Sequence, residues 1–239
     1  MRPFLGALGF LTTLPLGRKA SFSPQDMAQY FPLVGIVLGI VLFLADAAFS
    51  HLWSDPVAAW LVVAVLILLT GALHLDGLAD AADGLFSHRS ADRILQIMKD
   101  TRIGVMGLVA VVVVLFAKWG GIMDLGQDKW IVLILVPAYA RAGLLVAMRL
   151  LPYGRPEEGI GRDFFRDRQG WKNFWGFGVL LPASLLLGGK ALVLIGAFLL
   201  ITFLALWFCH RRIGCVTGDT LGALVEILEA GLFLALAAV

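Results

Sequence analysis

Three aspartates, Asp76, Asp80 and Asp83, lie within His74-Leu75-Asp76-Gly77-Leu78-Ala79-Asp80-Ala81-Ala82-Asp83-Gly84, at the end of a long apolar run. Their i, i+4, i+7 spacing predicts, on a helix, three carboxylates along one stripe about 10 Å long. Such a stripe repels itself unless a cation sits against it, and unpaired charge beside an apolar segment is costly and usually functional. Gly77, Ala79, Ala81, Ala82 and Gly84 keep this helix slim enough for another backbone or a phosphate to approach. A second cluster, Thr217-Gly218-Asp219-Thr220-Leu221-Gly222-Ala223-Leu224-Val225-Glu226, echoes the first: Asp219 and Glu226 share nearly one face with Gly222 between them, and Glu229 follows a turn later. Carboxylates among small residues suit Mg²⁺, which binds through a few acids and completes its octahedron with water and substrate phosphates. Two such ions about 4 Å apart could polarise a diphosphate, and an acid not committed to metal could serve as general base. The chain contains no GxSxG, HExxH or GxxxxGK[ST] stretch, which weakens serine, zinc and P-loop chemistry.

The elements that must hold these residues are membrane helices. Of 239 residues, 60% are hydrophobic and 15% charged, and the mean hydropathy is +0.90; soluble globular domains do not look like this. The expectation is an all-α, polytopic membrane helical bundle, a single catalytic domain over residues 1–239. Seven apolar runs approach spanning length: Phe31–Leu52, Val57–Leu75, Ile103–Met123, Trp130–Leu151, Trp171–Leu187, Ala191–Phe208 and Leu221–Val239. The fifth is short and contains Pro182. Phe4 to Leu16 is too short to span and reads as interfacial or re-entrant. Ser23-Pro24 and Ser90-Ala91-Asp92 are helix-start patterns that predict short surface helices.

Charge placement predicts the topology. The N-terminal segment and the loops after the second, fourth and sixth runs hold fourteen Lys and Arg residues, and the opposite side holds only Lys118, Lys129 and Lys190. By the positive-inside rule the N-terminus and all the polar motifs face the cytosol and the C-terminus lies outside. If the second and last runs pack antiparallel, Asp219 comes near Asp83, and Glu226 near the depth of Asp76. The net charge of +2 is too small to point to nucleic acid, and Cys209 and Cys215 read as free thiols. Arg141, within the fourth run, must face the bundle interior and needs an acid or a substrate phosphate as partner.

Composition and spacing leave two functional classes open, a metal-dependent enzyme acting on phosphates and a cation-coupled secondary transporter. The acids gather at one surface and no internal repeat relates two halves of the chain, which disfavours transport; a structural scaffold leaves the clustering unexplained.

Taken together, His74-Leu75-Asp76-Gly77-Leu78-Ala79-Asp80 with Asp83-Gly84, Ile97-Met98-Lys99-Asp100 with Arg102-Ile103-Gly104 and Gly107, and Thr217-Gly218-Asp219-Thr220-Leu221-Gly222-Ala223 closely resemble the cobalamin synthase family, the adenosylcobinamide-GDP ribazoletransferases. Phe10-Leu11-Thr12 with Leu14-Pro15, Phe31-Pro32-Leu33-Val34-Gly35, and Arg155-Pro156 followed by Gly159-Ile160-Gly161 extend the resemblance over most of the chain. Phe86-Ser87-His88, Val105-Met106 and Cys215 depart from the family's usual residues without removing an acid. The resemblance implies a Mg²⁺-dependent enzyme of a bacterial or archaeal cytoplasmic membrane. A hydroxyl of α-ribazole or its 5′-phosphate attacks the cobinamide-linked phosphorus of adenosylcobinamide-GDP, and GMP leaves. Asp80-Ala81-Ala82-Asp83-Gly84 also repeats the first positions of the CDP-alcohol phosphotransferase motif, an analogy of mechanism only.

On this reading Asp76, Asp80, Asp83, Asp219 and Glu226 are the expected metal ligands, and Asp76 or Asp100 the expected base. Lys99, Arg102, Arg141, Arg155 and Arg162 are expected to meet phosphates, with His74, Gly77, Gly84, Thr217 and Gly218 lining the substrate site. The partners implied are the two substrates and membrane lipid, together with a second copy of the chain or other enzymes of the corrinoid pathway.

Overall fold

The computed structural model describes residues 2–15, 23–155, 160–166 and 169–239. Glu157, Glu158, Asp167 and Arg168 of the mixed-charge loop, and Arg18 and Lys19, lie outside them. The chain folds into helices: α1 (Arg2–Leu11), α2 (Pro24–Ala28), α3 (Phe31–Ser50), α4 (Asp55–Thr70), α5 (Leu73–Leu85), α6 (Ala91–Ile97), α7 (Val105–Met123), α8 (Lys129–Leu150), α9 (Phe177–Ser184), α10 (Lys190–Ile213) and α11 (Gly218–Ala237). Among the described residues the sole β pairing is an isolated bridge between Tyr153 and Val216.

Among the described residues, α3, α7, α8 with the turn before it, α10 and α11 are long and apolar enough to cross a membrane. α8 is the axis of the bundle: 89% of its apolar window is buried, against 28% for α3, α7 and α10. Gly35 and Gly39 set the backbone of α3 directly on that of α8 at Pro137–Ala138 and Leu133–Ile134, the close approach that small residues permit in membranes. The outward faces carry Leu44, Phe116, Leu192 and Phe203, all exposed, as helices facing lipid require.

Two expected spans differ. The run from Val57 breaks at Thr70, and α4 and α5 are long and apolar enough to cross a membrane only together, as a pair bent by 90°. Gly71 (φ 59°) and Ala72 (φ 57°) both take the left-handed conformation there, which ends the helix. Thr13 closes the break, its backbone N–H donating to Leu69 O at 2.8 Å and its Oγ1 to Leu68 O at 2.9 Å. We read α4 as the crossing limb and α5, with its three aspartates, as a separate helix leaving the membrane. The fifth run is a 3₁₀ turn (Trp171–Phe174), the two-turn α9 and a further 3₁₀ turn (Leu185–Leu187), so it supplies no full-length spanning helix.

Side-chain pairs sort the helix ends into two sets. Asp46 at the end of α3 binds Lys129 at 2.6 Å, and Asp128 binds Lys190 at 3.0 Å. At the other end Arg155 meets Asp219, and Arg212 from the last turn of α10 donates to Leu85 O at 2.9 Å, placing a cation on the carbonyl end of α5. Lys118 belongs to neither end: it is buried between α7 and α11, which corrects its assignment to the outer surface.

Candidate active site

The acid stripe is placed by the packing of α5 on α11. A Cβ added at Gly77 would stand 2.9 Å from Asp219 O and 3.0 Å from its Cα, and one at Gly222 would stand 3.1 Å from His74 O. The two helices therefore meet backbone to backbone and antiparallel, with Gly77 opposite Asp219 and His74 opposite Gly222. The bare surface expected to admit a backbone or a phosphate at Gly77 admits a backbone. Gly84 likewise makes room for Met98, whose Cε would lie 3.0 Å from an added Cβ.

This register corrects the expected neighbours. Asp219 lies beside Gly77 and one turn from Asp80, not beside Asp83. Asp80 feels three like charges: burial first, then Asp219 and Asp76, and more weakly Asp83, push its carboxyl up to about 6, while Arg155 opposes them. Among the described residues Arg155 donates from Nη2 to Asp219 Oδ2 at 2.7 Å, and its buried Nε finds no partner among them. The Tyr153–Val216 bridge delivers it there, through Gly154 N–H to Val216 O at 2.8 Å and Val216 N–H to Pro152 O at 2.9 Å.

Asp83 has different work. It accepts the Gly104 N–H at 2.6 Å and the Gly107 N–H at 2.8 Å, so both its oxygens cap the orphan donors at the start of α7. Thr217 caps α11 in turn, its Oγ1 accepting from Thr220 N–H at 3.2 Å and Thr220 Oγ1 accepting from Thr217 N–H at 2.8 Å, and it also bonds Asp219 Oδ2 at 3.3 Å. Gly218 then opens α11 at the mouth of the site.

Three expected residues are drawn elsewhere. Glu226 does not complete the acid cluster: it binds Lys118 at 2.7 Å. Glu229 joins both Lys118 and Arg141, so Arg141 has its acid partner in the bundle interior and not a phosphate. Together the four form a neutral buried quartet linking α7, α8 and α11. Asp100 accepts from Arg102 Nε at 3.0 Å, Nη2 at 2.8 Å and the backbone N–H at 3.1 Å. These bonds hold its carboxyl down at about 2, which makes it a poor proton acceptor and weakens the expectation that it is the base. Arg162 lies 3.7 Å from Asp163, exposed beside the site. Lys99 follows α6 on the exposed turn that leads to Asp100.

Beside the acids opens a cavity of about 200 Å³, with Asp76, Asp219, Gly77 and Gly218 at one side and Phe10, Phe31, Leu144 and Phe164 in its wall. His74 also lines it, and the Nδ1 of this buried residue has no hydrogen-bond partner among the described residues. No sequence signal identified this cavity, because its walls come from α1, α3, α5, α8, α11 and the 3₁₀ turn Ile160–Phe165.

No ready-made cage of three or more His, Cys, Asp or Glu side chains exists among the described residues. Asp80 and Asp219, neighbours across the α5–α11 contact, are oxygen donors of the kind Mg²⁺ takes, an ion that usually binds through one or two carboxylates and leaves its other positions to water and phosphate. A cation bound there would relieve the repulsion that Asp219 and Asp76 exert on Asp80.

Comparison with known proteins agrees with the motifs. A family model described as cobalamin-5-phosphate synthase matches residues 3–237. The chain is 39% identical over 247 residues to the adenosylcobinamide-GDP ribazoletransferase of Pseudomonas putida strain KT2440, covering 99% of both chains. It is 34% identical over 242 residues to the protein of that name from Brevibacillus brevis, covering 99% of this chain and 98% of the other, and 34% identical over 235 residues to that from Acetivibrio thermocellus. No solved structure matches.

Proposed function

From its membership of the cobalamin-5-phosphate synthase family, to which the chain belongs over residues 3–237, we propose that it transfers the adenosylcobinamide-phosphate group of adenosylcobinamide-GDP to α-ribazole or its 5′-phosphate. The observation that carries the reading is the acid cluster of α5 and α11 with Arg155 in contact. The transporter alternative finds no support, since the relatives are named as transferases along their whole length. Buried acids suited to coupling ions are instead consumed in the neutral quartet around Lys118.

Asp80 and Asp219 hold Mg²⁺ in this proposal, with Asp76 left free of the metal, and the bound ion would neutralise diphosphate charge and favour departure of GMP. Asp83 is not a ligand here; its role is to fix α7 against α5. Arg155 offers a guanidinium fork that can shift from Asp219 to a phosphate oxygen, and Lys99, Arg102 and Arg162 supply positive charge around the entrance. Asp76, which lines the cavity beside Asp219, is placed to take the proton from the attacking ribazole hydroxyl. The cationic loops and the site face the cytosol and the end holding Lys129 and Lys190 faces out.

The test is steady-state kinetics of lipid-reconstituted protein with both substrates. Asp80→Asn should abolish Mg²⁺-dependent GMP release while leaving the fold intact; an unchanged rate would remove Asp80 from the site.

A further inference from the structure

We infer that the cavity beside Asp76 and Asp219 receives the aromatic base of the acceptor nucleoside, so that it selects the acceptor and not the donor. This rests on the ribazole-transfer reading. Four ring systems enter that reaction, the corrin macrocycle, the adenine of its adenosyl group and the guanine of the donor, and the dimethylbenzimidazole of the acceptor. Size excludes the corrin. An apolar cavity of about 150 Å³ takes up a single benzene ring, so the space of about 200 Å³ here suits a fused bicycle and nothing much larger.

Polarity excludes guanine, and adenine likewise, whose amino group and ring nitrogens also need partners. The wall is aromatic: Phe10 lies tilted against Phe164 with centroids 5.1 Å apart, and Phe31 lies 5.6 Å from Phe164 and stacks on Phe10 at 6.3 Å. Guanine would bury its amide, amino and ring-nitrogen groups against these faces, each costing about 1–3 kcal/mol if left unpaired. Dimethylbenzimidazole presents two methyl groups and, once glycosylated, a single free ring nitrogen. Among the described residues that line the cavity, the one buried polar side-chain atom without a partner is His74 Nδ1. Away from Asp76 and Asp219 the lining offers few polar partners, which suits a base with a single free ring nitrogen. A base seated on the phenylalanines leaves its ribose toward Asp76 and Asp219, where the attacking hydroxyl must be.

The test varies both substrates with full-length protein in lipid nanodiscs. Leu144→Phe fills the wall and Leu73→Trp crowds the exposed rim. Each should raise KM for α-ribazole about tenfold, the usual scale for misfitting a hydrophobic pocket, with KM for adenosylcobinamide-GDP unchanged. A rise confined to the donor KM would overturn the assignment. A second measurement needs no variant: with wild-type protein, acceptors whose base carries two, one or no methyl groups should lose about fourfold in kcat/KM per methyl. A flat series accompanied by normal GMP release would sink the cavity assignment and leave the transfer reaction standing, whereas no GMP release with any acceptor would sink both.

Discussion

Among the four aspartates brought to the α5–α11 region, position and partners divide the labour. Asp80 is crowded by Asp76 and Asp219, while Asp83 is saturated by two backbone N–H donors. Removing a residue that merely orients a metal ligand costs 10- to 100-fold in affinity or activity, so Asp80→Asn and Asp219→Asn should each lower kcat by about 100-fold or more, read as GMP release. Asp83→Asn should show the opposite balance: a loss of about 1–3 kcal/mol in unfolding free energy for one weakened cap, with the surviving folded enzyme retaining Mg²⁺ dependence. For Arg155, replacement by Lys keeps the charge and removes the planar fork; KM for the donor should rise about tenfold with kcat less affected, measured by varying adenosylcobinamide-GDP at saturating acceptor.

At the scale of helices, the site depends on how closely α5 lies on α11 and on what holds α11 in register. An alanine at Gly77 forces its Cβ against the backbone of Asp219, which cannot move aside as a flexible side chain would. Gly77→Ala should therefore cost about 1–3 kcal/mol and reduce activity by displacing Asp219, as a paired thermal-unfolding and rate measurement would show. The buried quartet sets the register of α11 against α7 and α8. Lys118→Met leaves an uncompensated acid and should destabilise by about 3–5 kcal/mol, and Lys118→Met/Glu226→Gln, which restores neutrality, should recover most of it. Much of this architecture was legible in the sequence. The helical class, the α3, α7, α8, α10 and α11 runs, the antiparallel pairing of the two acid clusters and the need of Arg141 for a buried partner follow from hydropathy and spacing. The break after Thr70 was not legible, because Ala72 carries no turn signal and takes its left-handed conformation from tertiary context. Nor were the partners of Glu226 and Asp83: spacing gives the face of a helix, whereas depth against Lys118 and contact with Gly104 and Gly107 depend on how separate helices slide past one another.

For the whole molecule, charge asymmetry and structure converge on two unlike ends. One gathers the acids, Arg155 and the cationic turns; the other holds Lys129 and Lys190, each tied to an aspartate. With Cys209 and Cys215 both buried, single cysteines at exposed positions report the side cleanly. A membrane-impermeant maleimide should label Gln127→Cys in intact spheroplasts and Asp92→Cys only after permeabilisation; the reverse pattern would invert the topology and move the site outside. The central claim is that the acids of α5 and α11 serve phosphoryl-linked group transfer. The most direct measurement is product analysis of the lipid-reconstituted wild type and its Asp80→Asn variant, given both substrates and titrated with Mg²⁺. The result expected is GMP and a cobalamin product in equal amounts, dependent on both substrates and on Mg²⁺, and lost in the variant. Equal product from wild type and variant, or product formed without Mg²⁺, would contradict it.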